Sequence, residues 1–167
     1  VDGLIIDLRN NGGGSLMEAI DLTGIFIKNG PVVQVKNSAN RIEVAKDEDP
    51  SVLFTGPLVV MTNRFSASAS EIFAGAIQDY NRGVVVGEST YGKGTVQTVV
   101  DLKRFIQPAA GEEVGELKIT FQKFYRVTGS STQHKGVTPD VKLPSPFNEE
   151  EYGESANPSA LPWDEIR

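Results

Sequence analysis

Short apolar runs alternate with stretches of helical periodicity along this chain. Leu4-Ile5-Ile6-Asp7-Leu8 is nearly continuous in apolar character, the pattern of a buried strand. Asn10-Asn11-Gly12-Gly13-Gly14 breaks it as a loop, since consecutive glycines have no reason to lie inside an element. From Ser15 onward Leu16, Ile20, Thr23, Gly24 and Ile27 recur at helical spacing until Asn29-Gly30 stops the helix. Pro31–Val35 and Leu58–Met61 read as strands. Ala67 to Tyr80 reads as a helix with Ile72, Phe73, Ala76 and Ile77 on one face and Asn81 near its end. Val84–Val86 and Thr95–Val100 are β-rich. Leu117, Ile119 and Phe121 alternate with Lys118, Thr120 and Gln122, predicting a strand up to Tyr125, and Val137–Val141 closes the core. The interleaving of strands and helices predicts an α/β fold. No internal repeat is visible.

From Pro144 the chain turns rich in Pro, Ser, Glu and Asn, and Glu149-Glu150-Glu151 reads as a solvated stretch. The end, Ala160-Leu161-Pro162-Trp163, is apolar enough to dock. A core over 1–143 followed by a loop-like extension over 144–167 with an anchored tip is the expected organisation.

Composition narrows the chemistry. With 167 residues and 39% hydrophobic content the chain can bury the core of one domain. A net charge of −6 with no basic stripe disfavours nucleic-acid binding. No apolar run approaches the ~20 residues of a membrane span. No signal peptide is present, and the chain opens directly on a strand, as the middle of a longer protein would. With no cysteine, disulfides and thiolate chemistry are excluded, and a single histidine, His134, rules out a histidine-rich metal site within this chain. No cofactor or metal is expected.

Two segments carry candidate chemistry. Arg64-Phe65-Ser66-Ala67-Ser68-Ala69-Ser70-Glu71 puts serines at the mouth of a helix, and Gly92-Lys93-Gly94 puts a lysine in a tight loop between β-type runs. Ser68-x-x-Glu71 is also a capping-box pattern, and position alone does not separate a cap from a nucleophile. Ser66 and Ser70 read as further caps or solvent-facing residues. A helix N-terminus offers unpaired N–H donors to an oxyanion, that of Ala69 first among them. Ala67 and Ala69 leave room for a substrate backbone, and Phe65 is placed to pin the turn. A free lysine has a pKa of about 10.4, and burial lowers it, so a shielded Lys93 can take the serine proton as a neutral amine. Gln97, four residues on, shares a strand face with Lys93 and can aim it. Gly13 or Gly14 supplies a second backbone N–H, since glycine lets the backbone approach a ligand closely.

Rival chemistries fit less well. Gly87-x-x-x-x-Gly92-Lys93 matches most of a phosphate-binding loop, but Gly94 stands where Ser or Thr is needed and a β-rich run follows in place of a helix. No serine here has the Gly-x-Ser-x-Gly elbow, the companion motifs of β-lactamases are absent, and Asn10–Gly14 lacks dinucleotide spacing. His134 follows the polar stretch Ser130-Ser131-Thr132-Gln133 and reads as a surface residue.

The chain resembles the tail-specific proteases, or C-terminal processing peptidases, which are Ser/Lys serine endopeptidases. The resemblance lies in Asp7–Gly14, Ser66–Ile72, Gly92–Gln97 and Lys135–Asp140. Phe124–Val127, Gly153-Glu154-Ser155 and Ala160–Asp164 look like the bacterial long-form branch. It implies a Clp protease/crotonase-like core of mixed sheet packed with helices. By the same resemblance, Ser68 is the nucleophile, Lys93 the general base and Gln97 the residue that orients it. Gly14 and Ala69, with Gly13 beside them, supply the oxyanion hole. It further implies peptide-bond hydrolysis in proteins with apolar C-termini, periplasmic location, and a partnering PDZ domain absent from this chain. An adaptor or envelope lipoprotein is an implied partner. The alternative is a catalytically silent scaffold or peptide-binding relative, which would typically have lost the serine or the lysine.

Overall fold

The computed structural model describes residues 1–106, 113–148 and 151–166. Among the described residues eight strands and two α-helices form two four-stranded sheets with the helices between them. In chain order these are β1 (Leu4–Asp7), α1 (Leu16–Gly24), β2 (Gly30–Asn37), β3 (Ile42–Asp47), β4 (Leu58–Thr62), α2 (Ala69–Asp79), β5 (Val84–Gly87), β6 (Thr95–Asp101), β7 (Glu116–Tyr125) and β8 (Val141–Lys142). The first sheet is parallel in the order β1-β4-β5-β8, and the second is antiparallel in the order β3-β2-β7-β6.

α2 explains why two sheets are needed. Its residues from Ser70 to Ile77 are buried all round, so no single sheet can cover it. Phe73, Ala74 and Ile77 pack with Val60, Val85 and Val137 on the parallel side. Ile72 and Ala76 pack with Val32, Val33, Val35 and Phe124 on the antiparallel side. Both sheets thus bear on the helix that Ser68 immediately precedes.

The sequence expectations hold for most elements, with instructive departures. α1 ends at Gly24, ahead of Asn29-Gly30; the Phe26 and Ile27 amides close a turn on the Thr23 carbonyl. β3 has no counterpart in the sequence reading. Ile42 and Val44 are exposed on this edge strand, so no one-sided apolar alternation marks it. Leu4–Leu8, expected to be buried throughout, hides one face only, and Ile5 is 65% exposed. Of Val137–Val141, Val137 is fully buried in the core, whereas only Val141–Lys142 pairs as a strand.

Beyond Pro144 the described residues lie along the core. Phe65 meets Phe147 and Tyr152 edge-on, with ring centroids 4.9 and 6.1 Å away. Further on, Trp163 Nε1 donates to the Ser131 carbonyl at 2.9 Å, Lys135 stacks over the Trp163 ring, and Lys123 pairs with Asp164 at 2.5 Å. Glu149 and Glu150 of the acidic cluster lie outside the described residues.

Phe73 joins α2 to the core beneath the parallel sheet, edge-on to Phe26 with centroids 6.0 Å apart. Phe73→Ala is expected to cost about 3–5 kcal/mol, the usual penalty of a large buried cavity, read from urea unfolding. A loss under about 1 kcal/mol would contradict this packing.

Candidate active site

Ser68 precedes α2 with φ 58° and ψ −116°, a backbone conformation costly for a residue with a Cβ. Glu71, one turn into the helix, reaches back and accepts the Ser68 amide at 2.8 Å. That is the glutamate half of the capping pattern. The neighbouring serines are engaged elsewhere and buried, contrary to the expectation of caps or solvent-facing positions. Ser66 Oγ donates to the Leu8 carbonyl at 2.8 Å, and Ser70 Oγ to the Asn11 carbonyl at 3.1 Å. Both tie the serine turn to the segment after β1. Of the three, Ser68 lines the pocket that also holds Lys93, Gly14, Ala69 and Gln97.

This pocket, about 330 Å³, has apolar walls from Leu16, Ile72, Val96 and Phe124. Ala69 is the first residue of α2, where the backbone N–H has no intrahelical partner. Gly14 also faces this pocket, and a side chain there would meet nothing within 4 Å. Gly13 is different. Its amide donates to Asn11 Oδ1 at 3.0 Å, and with φ +98° it presses so closely on Ser68 and Ala69 that a Cβ would sit 2.8 Å from Ser68 Cβ. Gly13 is therefore a spacer that seats the loop against the serine turn.

The lysine loop is organised by a group the sequence analysis treated only as a helix cap. The Glu71 carboxylate is fully buried and accepts four hydrogen bonds. Oε2 takes the Ser68 and Lys93 amides at 2.8 and 2.9 Å; Oε1 takes the Gly92 amide at 2.7 Å and the Thr90 hydroxyl at 2.5 Å. One carboxylate thus holds the backbone of both candidate catalytic residues. Burial pushes its pKa up to about 7, against the pull of these donors. The capping spacing was the signal for Glu71; nothing in the sequence marked Thr90.

Two further supports escaped the sequence reading. Gln133, fully buried, accepts the Gly94 amide on Oε1 at 2.7 Å. Gly92, at φ +90°, lies so close to the His134 backbone that a Cβ would come within 2.8 Å of it. The polar run Ser131-Thr132-Gln133 that precedes His134 is buried: Ser131 Oγ accepts the Gln133 amide, Gln133 holds the Gly94 amide and the Thr132 carbonyl accepts the Gly136 amide, while Thr132 Oγ1 has no hydrogen-bond partner among the described residues. His134 Nε2 is 2.8 Å from the Leu161 carbonyl, so this ring engages the C-terminal extension.

Lys93 is half-buried and lies before β6, so strand alternation does not relate it to Gln97. Both residues nevertheless line the pocket. Gln97 Nε2 donates to Thr120 Oγ1 at 3.4 Å, beside a bulge between Val96 and Gln97. Among the described residues no hydrogen bond joins the Ser68 and Lys93 side chains. Among them, too, no group of acidic or histidine side chains is arranged to hold a metal ion, and no helix is long and apolar enough to cross a membrane.

The model of peptidase family S41 matches residues 1–143. The chain is 52% identical over 165 residues to a tail-specific protease of Haemophilus influenzae, covering 99% of this chain and 24% of that protein. It is 36% identical to a chloroplastic C-terminal processing peptidase of Tetradesmus obliquus, covering 86% of this chain and 29% of that one. The chain thus spans about a quarter of the length of these curated relatives. Among solved structures, a photosystem II D1 C-terminal processing protease superposes with a TM-score of 0.73 at 36% identity, over 86% of this chain and 35% of that one. A glycine loop, a strained serine turn and a glycine-flanked lysine, carried on this α/β frame, agree with what these comparisons establish: the chain belongs to peptidase family S41.

Proposed function

We propose that this chain is the catalytic core of a serine endopeptidase in which Ser68 is the nucleophile and Lys93 the general base. The observation that carries the reading is the Glu71 carboxylate, which fixes the backbone of both residues at the edge of one apolar-walled pocket. The amine of Lys93, uncharged, takes the Ser68 hydroxyl proton as Oγ attacks the scissile carbonyl carbon. The Gly14 and Ala69 amides receive the negative charge that develops on the carbonyl oxygen. The Lys93 ammonium then returns its proton to the departing amine, leaving an acyl group on Ser68. Water, deprotonated by the same amine, releases it. Gln97, which lines the same pocket, orients the lysine side chain.

The wider reading follows the relatives, which are named for tail-specific and C-terminal processing proteolysis. Substrates are proteins recognised through apolar C-termini, captured by a PDZ domain outside residues 1–143. The setting is the bacterial periplasm, with an adaptor or envelope lipoprotein as a partner.

In the full-length enzyme, Ser68→Ala is expected to lower kcat/KM for peptide cleavage by more than about a thousandfold without changing the unfolding midpoint. Undiminished cleavage would end the nucleophile assignment. Lys93→Arg is expected to be as inactive as Lys93→Ala, because a guanidinium does not give up its proton; an active arginine variant would remove lysine from the base role.

Glu71 adds a pH signature. Its carboxyl binds a proton more tightly in the fold than in the unfolded chain, about 7 against 4.5. This contribution to stability is therefore present below 4.5 and is lost as pH rises through about 7. It amounts to about 3 kcal/mol across that window. Urea unfolding is expected to show this decline in the wild type and its disappearance in Glu71→Gln, which would also lose activity through the amide it sets against backbone donors. An identical pH slope in both proteins would contradict the assignment.

A further inference from the structure

A second pocket, about 390 Å³, lies on the other side of Lys93. It shares Lys93, Thr95 and Gln97 with the apolar pocket but contains neither Gly14 nor Ala69. Its outer wall comes from the C-terminal extension: Glu154, Asn157, Ser159, Ala160 and Leu161.

That wall is fastened at both ends. At one end Arg64 Nε donates to the Tyr152 carbonyl at 2.5 Å, and the Glu154 amide donates to the Tyr91 carbonyl at 3.0 Å, within the lysine loop itself. Gly153, at φ +122°, packs against the Arg64 guanidinium with no space for a Cβ. At the other end His134 Nε2 engages the Leu161 carbonyl, and Lys123 Nζ donates to the Pro162 carbonyl at 2.8 Å. Between them the chain closes on itself, with the Asn157 amide on the Glu154 carbonyl, the Ala160 amide on the Asn157 carbonyl, and the Ser159 amide on Asn157 Oδ1. The wall is a set of hydrogen-bonded turns.

Which half of a substrate each pocket takes follows from the chemistry. The carbonyl oxygen must face Gly14 and Ala69, which line the apolar pocket, so the acyl side belongs there. The departing nitrogen must face Lys93, and the residues following it run on into the pocket that lacks oxyanion donors. Lys93 and Glu154 are the charged residues lining that second pocket. With Lys93 acting as a neutral amine, Glu154 is left as a carboxylate whose one side-chain hydrogen bond among the described residues comes from Gln133 Nε2 at 3.3 Å. A cationic side chain complements it and an anionic one opposes it.

We infer that residues 154–161 form one wall of a leaving-group subsite, and that Glu154 within it selects a basic residue immediately after the scissile bond. This rests on the Ser68–Lys93 reading above. The test uses full-length enzyme and peptides of one fixed acyl-side sequence, with Lys, Gln or Glu as the first leaving-group residue. Wild type is expected to favour Lys over Glu by about tenfold in kcat/KM, roughly what one partly shielded charge pair supplies. Glu154→Gln is expected to bring the two within about twofold, and Glu154→Lys to reverse the order. The preference among acyl-side residues stays the same in all three proteins, a split that general loosening of the loop would not produce. No Lys-over-Glu preference in wild type, or one that survives in Glu154→Gln, overturns the subsite. Reaction of Ser68 with a fluorophosphonate, which carries no leaving-group residue, reports on the nucleophile separately. A wild type that is neither labelled nor able to cleave any peptide counts against the Ser68–Lys93 reading itself.

Discussion

The site depends on a single buried carboxylate. Glu71 is withdrawn from water, and its oxygens are shared between the turn before α2 and the loop before β6. A carboxylate can accept about four hydrogen bonds, and here it is offered four by groups that have no other reason to converge. These bonds are what make burial of the charge tolerable. They also convert two segments more than twenty residues apart into one rigid unit. The arrangement has a cost, because the ionised form that these donors require is the form burial disfavours.

Other layers of the molecule serve the same unit. Ser68 holds a backbone conformation that an isolated helix entry would relax, and Glu71 on one side and Gly13 on the other keep it there. Ser66 and Ser70 anchor the turn to the segment after β1, so the glycine loop and the serine move together. α2, enclosed between two sheets, gives this turn an immovable base. The C-terminal extension then reaches the lysine loop through the Glu154 amide on the Tyr91 carbonyl, and Arg64 on the Tyr152 carbonyl and His134 on the Leu161 carbonyl bind the far wall of the groove to the same frame.

Much of this was legible in the sequence because it is local. Periodicity marked both helices and most strands, residue type marked the serine cluster and the glycine-flanked lysine as candidates, and the family resemblance singled out Ser68 within the cluster. What stayed hidden depends on contacts between distant segments. β3 was missed because an exposed edge strand need not alternate. The burial of Ser131, Thr132 and Gln133 was not visible because polar residue type says nothing of a distant partner, and the Gly94 amide that Gln133 holds lies 39 residues away. Glu71 was noticed for its three-residue reach to Ser68, whereas its bonds to Thr90, Gly92 and Lys93 exist only in the folded chain. Gly13 and Gly14 are indistinguishable by type. They separate once the Gly13 amide is found on Asn11 and only Gly14 lines the pocket.

The most direct test is a crystal structure of the full-length enzyme carrying a phosphonate on residue 68. If Glu71 unites the serine turn and the lysine loop into one catalytic unit, Lys93 Nζ will stand within about 2.6–3.2 Å of the Ser68 Oγ–phosphonate group, with all four bonds to the Glu71 carboxylate intact. A lysine amine pointing away from the adduct, with a different residue in its place, would contradict the account.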